Sequence, residues 1–106
     1  MFRQLENQVY SYYKFPMVIP DSWDRNLCIS LMERDFGIRC GTIYWPPCHL
    51  EPFYRKHFGY GEGSFPVAEA ILPRTLTLPL YNGMAVGDVD YVCAAVEQVA
   101  VRCEKR

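Results

Sequence analysis

The spacing of apolar positions changes period within one stretch, residues 65–82. Pro66 suits a first helical turn, where no backbone N–H is needed, and Val67, Ala70 and Ile71 follow on one face at helical spacing. Pro73 lacks the donor that a further turn requires, so the helix is expected to stop near it. From Thr75 the period becomes two: Leu76, Leu78 and Leu80 point one way, Thr75 and Thr77 the other. Pro79 marks an edge strand or a strand terminus. A helix feeding directly into a short strand, closed by Tyr81, Asn82 and Gly83, makes a rigid corner. The rest of the chain is expected to pack around it.

The same reading extends to the flanks. Residues 1–9 form a polar, flexible lead-in, and residues 10–106 a single domain. Residues 9–19 are rich in β-formers and read as a strand, with Pro16 at an edge or a bulge. Pro20, Asp21 and Ser22 make a turn, and Ser22 is the expected N-cap of a helix over 23–36. Leu27, Leu31 and then Asp35 or Phe36 define its inner face, widened by Ile29 and Met32, and Gly37 takes the C′ position. Residues 38–44 read as a second strand, with Gly41 at a bulge.

Two adjacent prolines exclude regular structure over 45–49. Residues 51–58 have room for one or two helical turns, and 60–64 form a glycine-punctuated loop. The longest helix is expected over 86–103, where Val89, Val92, Cys93, Val96, Val99 and Ala100 make a continuous apolar face. Asp88 and Asp90 suit its positive end, and Arg102, Lys105 and Arg106 its negative end. The order of elements predicts an α/β (α+β) fold, a small three-stranded sheet covered by helices on one face. The second face of such a sheet is left as a docking surface.

Composition narrows the function classes. The chain has 106 residues, half of them apolar and 22% charged, which is the range of an ordered globular domain. A net charge of −1 supplies no basic field for a polyanion, so nucleic acid is not the expected partner. No apolar run reaches membrane-spanning length and the N-terminus lacks a signal-peptide core. The five cysteines are an odd set without a C-x-x-C pair, read as reduced, mostly buried thiols of a cytoplasmic protein. Eight tyrosines point to surfaces that are part buried and part wet, as at an interface.

Little in the residues makes a self-sufficient reaction centre. His49 and His57 have no Cys or carboxylate at zinc-like spacing, and Cys40, Cys48 and His49 fall short of the four ligands of a structural site. His49 follows a proline-stiffened loop, where it either hydrogen-bonds the loop backbone or lines a pocket. The run from Gly59 to Gly63 lacks the spacing of a phosphate loop, and Glu62 there repels phosphate. No nucleophile elbow is present. Tyr10, Tyr12, Tyr13 and Phe15 have no basic surround for stacking on bases. Glu69 reads as a surface carboxylate or as the partner of Arg74, and Lys14, Lys56 and Lys105 carry no sign of an activated amine.

Taken in order, several motifs over residues 13–96 resemble one enzyme family. Met32 to Ile38 match its helix ending in Gly-Ile, and Tyr44 to His49 its Y-x-P-x-x-H loop. Phe53 and Tyr54 match the aromatics that follow H-L-x-P. Pro66 to Glu69 and Arg74 to Pro79 match P-V-A-E followed by R-x-L-x-L-P, and a valine-rich helix closes the set. The family is that of the DegT/DnrJ/EryC1/StrS pyridoxal-phosphate-dependent sugar aminotransferases. The resemblance implies the C-terminal small domain of a fold-type I aminotransferase. It places Tyr44, His49 and Tyr54 at the substrate, a sugar nucleotide.

The same resemblance assigns the cofactor-bearing lysine, the acidic partner of the pyridine nitrogen and most phosphate ligands to a larger domain with no counterpart here. No cofactor is therefore expected on this chain alone, and no transamination. The implied partners are a large cofactor-binding domain or companion chain, and a second copy through the uncovered sheet face. Two departures from the family pattern stand out. Trp45 occupies a position where proline is common, and Ala85, Val86 and Gly87 replace a polar cap, which predicts a frayed start to the last helix.

Overall fold

The computed structural model describes residues 5–104; the expectations for residues 1–4 and for Lys105 and Arg106 lie outside them. Its elements run β1 (Phe15–Val18), α1 (Arg25–Phe36), a 3-10 turn (Cys48–Leu50), α2 (Pro52–Phe58), α3 (Pro66–Ile71), a second 3-10 turn (Leu72–Arg74), β2 (Thr75–Leu78) and α4 (Val86–Ala100). The expected corner is present. Pro66 opens α3, the chain tightens into a 3-10 turn through Pro73, and Thr75 starts the strand.

The sheet among the described residues has two strands, not three. β1 and β2 pair antiparallel, with Pro16 opposite Thr77 and Met17 opposite Leu76. The Thr77 N–H and C=O both turn the other way, to Gly41, at 2.8 and 3.1 Å. Pro16 thus sits where β1 owes no hydrogen bond to β2, which is how an edge strand tolerates it. Residues 38–44 contribute only this one antiparallel bridge. The next hydrogen-bonded positions along β2 are two residues away on either side. One is Pro79, which has no N–H, and at the other Thr75 has already given its N–H to Leu72. The third strand is stopped at both ends.

Ile19, Leu31, Met32, Ile38, Leu76, Val92, Ala95 and Val99 lie in the core, which sits between the sheet, α1 and α4. Leu76 is 1% exposed. On α1 the buried residues are Cys28, Leu31 and Met32, so the inner face is turned one residue from the expected one and Leu27 is exposed. The N-cap is Asp24 rather than Ser22. Its carboxylate accepts from the Asn26 and Leu27 N–H groups, because Trp23 is still part of the preceding turn and bridges Glu104. Asp35 is not a core position; its carboxylate receives Arg34 and Arg102, the latter at 2.7 Å.

On α4 the inner stripe is Val92, Ala95, Val96 and Val99, with Val89 and Cys93 outside it. Its start is not left uncapped. The Asp88 carboxylate reaches back to the Ala85 N–H at 3.0 Å and also receives the Tyr81 hydroxyl. This is half of a capping box, since Ala85 has no side-chain acceptor to complete the other half. Cys28 and Cys103 are joined as a disulfide with Cα atoms 5.5 Å apart, so the cysteines are not all free thiols. Cys40 is buried, and Cys48 and Cys93 are exposed.

The expected bare face of the sheet is not bare at β2, where Thr75 and Thr77 are buried along with Leu76. Apolar exposure lies elsewhere. Val67 is 70% exposed and Ile71 is also open, so the periodic face of α3 points outward. The molecule is a flat body of 47 × 43 × 22 Å with a radius of gyration of 15.9 Å, against about 13 Å for a compact chain of this length.

Candidate functional site

The proline-stiffened loop and the corner helix meet at one hydrogen bond. Pro47, fully buried, anchors the turn in which Leu50 donates to the Pro47 carbonyl. His49 projects from that turn and is only 8% exposed. Its Nε2 lies 2.9 Å from Oε1 of Glu69, and its ring packs on Phe65 at a centroid distance of 4.9 Å. Of the two expected roles for His49, its ring does not serve the loop backbone; it ties the loop to α3.

Glu69 is neither a plain surface carboxylate nor the partner of Arg74. Its Oε2 accepts from the Gly63 N–H at 2.7 Å and its Oε1 from the Phe65 N–H at 3.0 Å. These two amides, more than His49, hold its carboxyl below the usual range, because each stabilises the ionised form. The glycine-punctuated loop is thereby bound to the start of the helix that follows it. Arg74 turns instead to Asp21 at 3.0 Å and to the Ala70 carbonyl.

Among the described residues, no ring contact joins two of the three candidates directly. Tyr54 lies on α2 and is joined to His49 only through a run of rings. Tyr54 stacks on Phe58, Phe58 on Tyr60, Tyr60 meets Phe65 edge-on, and Phe65 meets His49, at centroid distances of 6.0, 5.7, 5.1 and 4.9 Å. Phe53 and His57 extend the run. Tyr44 is exposed, with its ring 5.6 Å from Lys14 Nζ. Trp45 beside it takes the Arg25 guanidinium over its ring at 5.2 Å. Burial lowers the Arg25 pKa, and one of its nitrogens donates to the Leu72 carbonyl.

The sequence reading missed Glu69, Phe65, Tyr60 and Phe58. The available signal was the four-residue step from Phe65 to Glu69, which lets a carboxylate fold back on the first turn.

Chemically, the arrangement offers an imidazole held by a carboxylate and a ladder of aromatic faces. Lys14 Nζ lies 5.5 Å over the Tyr13 ring as well as near Tyr44, and Lys56 is exposed on α2. Among the described residues, no three His, Cys, Asp or Glu side chains converge on a metal position. No described helix is long and apolar enough to cross a membrane.

Comparison with known proteins gives these motifs a context. Residues 1–97 match the model of the DegT/DnrJ/EryC1/StrS aminotransferase family. The chain is 41% identical over 76 residues to the spore coat polysaccharide biosynthesis protein SpsC of Bacillus subtilis (strain 168), an alignment covering 71% of this chain and 19% of that protein. It is 45% identical over 58 residues to the uncharacterized protein MJ1066 of Methanocaldococcus jannaschii, covering 55% of this chain and 15% of that one. The chain thus spans less than a fifth of the length of either relative.

Proposed function

The chain belongs to the DegT/DnrJ/EryC1/StrS aminotransferase family, and from that premise we propose that it is the family's small C-terminal domain. In this reading it closes a sugar-nucleotide site whose reactive half lies in a large domain or companion chain. The observation that carries it is the 2.9 Å contact between His49 and Glu69. That bond joins two of the motifs that carry the family resemblance, the loop ending in His49 and the helix starting at Pro66. The similarity to a polysaccharide biosynthesis protein supports a sugar as the substrate class.

In this reading His49 and Tyr54, linked by stacked rings, face the sugar nucleotide, and Tyr44 approaches it from the Lys14 side. Aromatic faces suit the apolar side of a pyranose, and the imidazole suits its hydroxyls. Transamination needs a reactive amine and an electron sink held in place. Pyridoxal phosphate supplies the electron sink where a large domain binds it; the residues of this chain supply neither amine nor cradle. The chain therefore transfers no amino group by itself. Mixed with pyridoxal phosphate, it is expected to give no lysine-dependent absorbance band and no turnover. A band that disappears when any one of Lys14, Lys56 and Lys105 is replaced by Ala overturns the reading.

A second reading is favoured by α3. Phe65, Pro66, Val67, Ala68, Ile71 and Leu72 line an open apolar groove, and a monomer seldom leaves such a face bare. The chain then acts as a stand-alone binding or oligomerisation module with this helix at the contact. Sedimentation at micromolar concentration separates the two, a clean monomer counting against the module.

A further inference from the structure

Glu69 does more at His49 than tie two segments together. A carboxylate held ionised by two backbone amides can only accept, so the proton it meets at His49 must sit on Nε2. In the neutral imidazole that leaves the lone pair on Nδ1. Among the described residues no hydrogen bond engages Nδ1, and the His49 side chain keeps 8% of its surface exposed. Phe65 packs against the ring, and Pro47 anchors the turn that carries it.

We propose that Glu69 is the positioning residue for His49. It locks the Nε2–H tautomer and leaves Nδ1 as the acceptor for a hydroxyl or N–H of the ligand. This rests on the reading of His49 as a substrate-facing residue and adds to it the atom that makes the contact. The carboxylate also keeps the loop over Gly63 in place, so one side chain sets both the acceptor and the wall beside it.

The test uses the full chain labelled with 15N, and ring correlation spectra at a pH above the usual histidine range. His49 is expected to show a protonated Nε2 and an unprotonated Nδ1. Glu69→Ala, which offers no acceptor, is expected to give a mixture of tautomers. UDP-N-acetylglucosamine serves as the probe. It is expected to shift the Nδ1 resonance in the wild type and to bind about fivefold more weakly to Glu69→Ala.

A wild-type ring protonated on Nδ1, or an Ala variant with an unchanged tautomer, overturns the positioning role. Should the Ala variant fail to fold, Glu69→Met, which fills similar space without a strong acceptor, replaces it, and an unchanged tautomer there overturns the role. An intact lock with no Nδ1 response to the nucleotide sugar overturns the substrate-facing reading on which the proposal rests.

Discussion

Single residues in this chain act mainly by completing the hydrogen bonds of another segment. Asp35 is the clearest electrostatic case. Hydrogen bonds from Arg34 first and Arg102 second lower its pKa to about 2. A carboxyl depressed below its unfolded value stabilises the fold above the ordinary carboxylate range, and that contribution is lost as pH falls towards about 2. A 13C titration of Asp35 is expected to show this depression, and Arg102→Ala to move the midpoint part of the way back, with Arg34 accounting for the rest. The pair is solvent-exposed, so the effect belongs to the titration more than to the melting temperature. Leu76 is the opposite case: buried between the sheet and both long helices, its replacement by Ala is expected to cost about 3 kcal/mol in urea unfolding.

At the scale of elements, what each segment becomes depends on where its backbone donors go. α4 starts at Ala85, a poor cap, but Asp88 satisfies the Ala85 amide from within the helix. Asp88→Ala is expected to destabilise the chain by about 1 kcal/mol in thermal unfolding, and Ala85→Ser to recover part of it. The single bridge between Gly41 and β2 leaves no room for a side chain, since a Cβ on Gly41 meets the Thr77 hydroxyl at 2.9 Å. Gly41→Ala is expected to cost about 1–3 kcal/mol. Adding Thr77→Ala removes the clash, so the two substitutions together should cost less than their sum. A double-mutant cycle by chemical unfolding measures that coupling.

For the molecule as a whole, the fold is incomplete in a specific direction. The accessible surface is 7924 Å², against about 6,100 Å² for a compact monomer of this mass. Much of the apolar excess lies on α2, on α3 and on the extended residues before β1. The core holds α1, α4 and the sheet without help from α3, whose apolar face carries none of that packing. Val67→Lys with Ile71→Lys should therefore leave the unfolding midpoint within the usual range of surface changes, about 0.5 kcal/mol. The same pair should shift any self-association towards monomer in sedimentation. A fall in stability without a change in mass would show that α3 belongs to the core after all.

The sequence by itself determined the local events: the helix stopping at Pro73, the strand period from Thr75, Gly37 closing α1, and Pro16 confined to an edge. Each follows from a backbone rule that acts over a few residues, a missing N–H or a permitted positive φ. Tertiary structure decided which face of a periodic segment is inside, because only about 100° of rotation about the helix axis separates Leu27 from Cys28 and only the neighbours choose between them. It decided that the sheet stops at two strands, since the missing N–H of Pro79 and the Thr75 N–H given to Leu72 fall at the next bonded positions only when Gly41 is opposite Thr77. And it made His49 and Glu69 a pair across twenty positions of chain, a distance over which no periodicity in the sequence carries information.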